Sequence, residues 1–73
     1  MTLVKDEKLQ IIASHKRNLE YRKYNIELDV MLENAKSSPS SETLASFNSS
    51  LSEIDDQLEV LAEETAKVNA LTE

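Results

Sequence analysis

The sequence predicts an all-α protein, an antiparallel hairpin of two long helices that pack on each other like a coiled coil. Three observations support this prediction. The chain of 73 residues contains no Gly, no Cys and a single Pro, Pro39, so residues that break helices are confined to one place. Apolar residues in the second half recur at alternating steps of three and four, the spacing of a coiled-coil seam. The first half carries apolar residues at helical spacing as well.

The first helix is expected over residues 5–36, where helix-forming residues follow one another without a breaker. One face of this helix collects an apolar stripe that we expect to pack on the second helix. Its members are Leu9, Ile12, Leu19, Ile26 and Val30. Lys16 and Lys23 lie on the same stripe. We expect their stems to cover leucines of the second helix while their ammonium groups reach its carboxylates.

The turn is expected at residues 37–38, within the Ser-rich stretch around Pro39. Ser38 followed by Pro39 has the pattern of an N-cap with Pro at the first helical position, which predicts a second helix over residues 39–70. A competing helix start lies further along, because Ser50 and Glu53 have capping-box spacing. A connection this short makes the two helices antiparallel neighbours.

The second helix carries the seam that organises the chain. The seam consists of Leu44, Phe47, Leu51, Ile54, Leu58, Leu61, Thr65 and Val68. Polar residues fill most positions between them, so the stripe is narrow and the helix depends on a packing partner for its stability. The first helix is the expected partner. Residues 1–73 therefore form one domain.

A second apolar stripe lies on the first helix, centred roughly 130° around the helix from the stripe that faces the hairpin partner. It consists of Tyr21, Tyr24, Leu28, Met31 and Ala35. Val60, Ala62 and Ala66, on the flanks of the second helix, are expected beside it. A contiguous apolar patch on a small protein marks an interface, so we expect two hairpins to join into a four-helix bundle. A helix of another protein is the alternative occupant.

Charge and composition indicate a binding protein rather than an enzyme. The net charge of −6 argues against nucleic acid or an anionic membrane as the partner, and the sequence predicts no membrane span and a cytoplasmic location. No catalytic, cofactor-binding or metal-binding residues are predicted, because His15 is the single His and the carboxylates lack the Gly turn of a calcium loop. We expect a non-enzymatic protein-interaction module.

Two other functions stay open at this point. In the first, the row of carboxylates from Glu53 to Glu64 makes the chain a small acidic inhibitor or nucleic-acid mimic that occupies a basic groove. In the second, Lys16, Arg17 and Lys23 serve an RNA-binding helical hairpin of the Rop type, a comparison of architecture alone with no shared residue motif.

Overall fold

The computed structural model describes residues 3–71, and in this range the protein consists of two helices and no strand. Helix α1 spans Lys5–Asn34 and helix α2 spans Ser41–Asn69. They pack side by side in a rod of 57 × 17 × 15 Å. The predicted all-α pair of packed helices is thus confirmed.

Three contacts between the helices show that they run antiparallel. Near the termini, the Lys5 ammonium donates to the Asn69 carbonyl at 3.0 Å. Midway along the rod, Lys23 Nζ lies 2.7 Å from Asp55 Oδ1. At the other end, Glu33 of α1 accepts a hydrogen bond from the backbone of Ser40. The start of α1 therefore lies beside the end of α2.

The interior of the rod is a single layer of side chains between two helices. Among the described residues, the buried apolar side chains are Ile54, 2% exposed, and Val68, 3% exposed. The remaining residues of the two predicted core stripes are half-buried. A two-helix layer cannot enclose most of its side chains, because each lies beside solvent on at least one flank.

Helix α1 begins without a capping side chain on its N-cap residue, Val4. Instead, the Glu7 carboxylate accepts a hydrogen bond from the backbone N–H of Val4 at 3.1 Å. Asp6 and Glu7 also place negative charge at the first turn, where the helix dipole favours it.

The connection between the helices differs from the prediction in length and in its cap. It spans residues 35–40 rather than 37–38, so α1 is shorter than the predicted 5–36 and α2 shorter than 39–70. The N-cap of α2 is Ser40 and not Ser38, because the Ser40 hydroxyl accepts from the Thr43 backbone N–H at 3.2 Å. The alternative start at Ser50 is wrong, since that residue lies inside α2.

Glu33 explains why the cap falls at Ser40. The residue is 6% exposed. Its Oε2 atom accepts from the Ser40 N–H at 2.9 Å, while Oε1 pairs with Lys36 at 2.9 Å. The hydrogen bond from Ser40, followed by that from Lys36, lowers the pKa of Glu33 below its ordinary value. A carboxylate at this helix start is also favoured by the dipole of α2.

Candidate protein-binding face

The second apolar stripe of α1 is exposed along its whole length. Tyr21 is 58% exposed, Tyr24 60%, Leu28 36% and Met31 61%. Ala35, the C-cap residue of α1, is exposed too. Since these residues recur every three or four positions of one helix, they form a continuous strip. We call this strip the α1 outer face.

Leu32 enlarges the apolar end of α1, and the sequence prediction did not include it. It is 68% exposed, the largest exposed fraction among the large apolar side chains described. Its position next to Met31 puts it at the edge of the α1 outer face. The sequence could have indicated the exposure of Leu32, because a leucine that belongs to neither predicted stripe must be exposed in a two-helix rod.

Arg17 marks the polar limit of the α1 outer face. One of its guanidinium nitrogens donates to the Tyr21 hydroxyl at 3.2 Å, and its central carbon lies 5.2 Å from the centre of the Tyr21 ring. This contact restrains an exposed aromatic side chain. Beyond Arg17 toward the start of α1, the same face carries Ser14 and Gln10.

Val60 does not lie beside the α1 outer face, which corrects the sequence prediction. It is 62% exposed and lines a shallow groove together with His15, Asn18 and Arg22 of α1. A separate depression is lined by Tyr21 and its neighbours on α1. The two helix flanks are therefore distinct, because antiparallel packing sets Val60 on the side opposite the tyrosines.

The basic residues of α1 differ in how far they are engaged within the chain. Lys23 donates to Asp55, which raises the pKa of Lys23, and Arg17 is engaged by Tyr21. As the sequence predicted, Lys23 reaches a carboxylate of the second helix. Lys16, on the same stripe, is exposed. Two of the three cations considered for an RNA-binding surface thus have partners inside the protein.

The described residues meet the requirements of neither a metal site nor a membrane-spanning helix. Across residues 3–71, no group of three or more His, Asp or Glu side chains is arranged to hold a metal ion. Within that same range, neither helix combines the length and the apolarity that a lipid bilayer demands of a spanning segment. Four of the large apolar side chains described as exposed, Tyr21, Tyr24, Leu28 and Met31, lie on the α1 outer face.

Comparison of the chain with protein-family models, with curated proteins and with solved structures found no match.

Proposed function

We propose that this protein is a non-enzymatic assembly module that pairs with a second copy of itself through the α1 outer face. The observation that carries the proposal is the exposure of Tyr21, Tyr24 and Met31, each between 58% and 61%. Large rings and thioethers at helical spacing are typical anchors of helix-in-groove binding. Two hairpins that join along this face give a four-helix arrangement.

The amount of exposed surface supports a partner for each hairpin. A compact monomer of 8.2 kDa exposes about 4,500 Å², whereas this chain exposes 5663 Å². The excess of about 1,100 Å² exceeds the roughly 800 Å² that each partner contributes to a standard protein interface. Part of this surplus follows from the rod shape of the hairpin, and its size is compatible with an interface of standard area on each copy.

The charge distribution favours α1 as the face between two copies. Residues 1–36 hold seven basic and six acidic residues, for a charge of +1, while residues 37–73 hold one basic and eight acidic residues, for −7. Contact through α1 joins two nearly neutral surfaces and leaves the acidic α2 helices outward. Contact through α2 would bring like charges together, which opposes association.

Sedimentation equilibrium or light scattering tests the proposal. The unmodified chain is expected to show twice its mass of 8.2 kDa at micromolar concentrations. Tyr24→Glu should raise the dissociation constant at least about 100-fold, because an unpaired charge in an interface costs about 3–5 kcal/mol. Helicity measured by circular dichroism reports whether the variant hairpin still folds.

Val60→Glu is the matched control for this experiment. It introduces the same charge at an apolar residue of nearly equal exposure, 62% against 60% for Tyr24, but away from the α1 outer face. We expect it to leave the dimer intact. A monomeric parent chain that unfolds cooperatively would overturn the proposal, and equal effects of the two variants would show that the dimer uses another surface.

A further inference from the structure

We infer that the two copies pair in a staggered antiparallel manner, with the two-fold axis at Leu28, so that only the turn-proximal halves of the hairpins overlap. The inference rests on the proposed function and adds the geometry of the pairing. Its basis is the uneven distribution of apolar and acidic residues along the rod. Both kinds of residue distinguish the half near the turn from the half near the termini.

The apolar strip covers only the turn-proximal half of α1. It runs from Tyr21 to Ala35, and its continuation toward the start of the helix is polar. The midpoint of the strip is Leu28. An antiparallel pair centred there covers the strip of each copy with the strip of the other. An antiparallel pair centred on the middle of α1 would instead cover apolar residues with Arg17, Ser14 and Gln10, and lose this burial.

Side-chain sizes also match across a two-fold axis at Leu28. Tyr21 lies opposite the second copy's Ala35, and Tyr24 lies within one residue, about 1.5 Å along the axis, of the second copy's Met31. Large side chains then face small or flexible ones, which fills the space between helices evenly. A parallel pair would place tyrosine against tyrosine in two layers and alanine against alanine in another, so that some layers are overfilled and one is left empty.

Acidic residues strengthen the preference for the staggered pair. Of the eight acidic residues that follow Lys36, seven come after Ser52, in the half of the rod that approaches the termini. A parallel dimer through the α1 outer face points both acidic halves toward the same end of the assembly. The staggered dimer points most of them toward opposite ends of the assembly, while Asp55, which pairs with Lys23, and its neighbours Glu53 and Asp56 stay within the overlapping region. Separation of like charges over this distance largely removes their repulsion.

Small-angle X-ray scattering of the unmodified chain distinguishes the arrangements by length. Helix α1 extends about 35 Å from Lys5 to Leu28, at about 1.5 Å per residue. Two such arms with their termini give a staggered dimer of about 80 Å. A parallel or fully overlapped dimer keeps the 57 Å length of one hairpin. A dimeric mass with a length near 57 Å would overturn the staggered geometry and leave the proposed function standing, whereas a monomeric mass would overturn both.

Disulfide trapping gives an independent test, because the chain contains no Cys. Leu28→Cys should cross-link to itself under mild oxidation. Tyr24→Cys alone should not, since the two copies of that position are separated by about 12 Å along the helix axis in the staggered dimer. A mixture of Tyr24→Cys and Met31→Cys chains should form the mixed disulfide. Self-linking of Tyr24→Cys without the mixed product would instead identify the parallel pair.

Discussion

Ile54→Ala tests the view that a single seam layer holds the hairpin together. Ile54 is 2% exposed, and the change removes three carbon atoms. At about 0.8 kcal/mol per buried methylene, the loss of burial amounts to about 2.4 kcal/mol. The residues along the seam are mostly half-buried, so the vacated space is open to water and the extra penalty for a closed cavity stays small. We expect a total loss of about 2–3 kcal/mol.

This loss is large for so small a protein. A chain of 73 residues has an unfolding free energy of about 4–11 kcal/mol on the usual scale per residue. Urea denaturation followed by circular dichroism at one fixed protein concentration measures the change, since the proposed association would make stability depend on concentration. Val60→Ala is the control, expected to change stability by less than about 0.5 kcal/mol because Val60 is 62% exposed. An equally small effect of Ile54→Ala would refute the assignment of the seam as the core.

Three further changes test the ends and the middle of the hairpin. Glu33→Gln should weaken the dependence of stability on pH. With its lowered pKa, Glu33 stabilises the fold above the ordinary glutamate value of 4.5 and loses that contribution as pH falls through the lowered pKa. Parallel pH titrations of parent and variant that superimpose would contradict this. Ser40→Ala should cost about 1 kcal/mol in urea denaturation through loss of the N-cap, and no change would indicate a different cap. Leu58→Ala should cost less than Ile54→Ala, since Leu58 is only half-buried; the reverse order of melting temperatures would exclude the burial argument.

The helical pattern of the sequence was sufficient to predict the two helices and their packing. Seam residues such as Ile54 and Val68 follow a strict heptad, and the buried stripe of a two-helix rod is determined by that spacing. That Lys23 reaches a carboxylate of α2 followed from the surplus of carboxylates on that helix, whereas the choice of Asp55 did not follow from the sequence. Periodicity and charge can be read from the sequence of one helix alone, without the structure of the rest of the protein.

Features that depend on the meeting of both helices were missed. The capping role of Glu33 requires that its carboxylate reach Ser40 across the turn, and propensities within either segment do not contain this information. For the same reason, the sequence pattern placed the N-cap of α2 at Ser38, whereas the structure has it at Ser40. The position of Val60 relative to the tyrosines depends on the relative rotation of the two helices, which sequence spacing fixes only in part.

The hydrogen bond between Glu33 and Ser40 joins residues only seven apart in sequence. This short separation affects the order in which the hairpin folds. Closing so short a loop involves a small entropy loss. The hairpin should therefore begin to fold at its turn, and the two helices should then pair progressively toward the termini. The strip from Tyr21 to Ala35 lies beside that nucleus. The α1 outer face would then be complete while the distal arms are still forming, and in the proposed dimer two chains would be able to pair before either has finished folding.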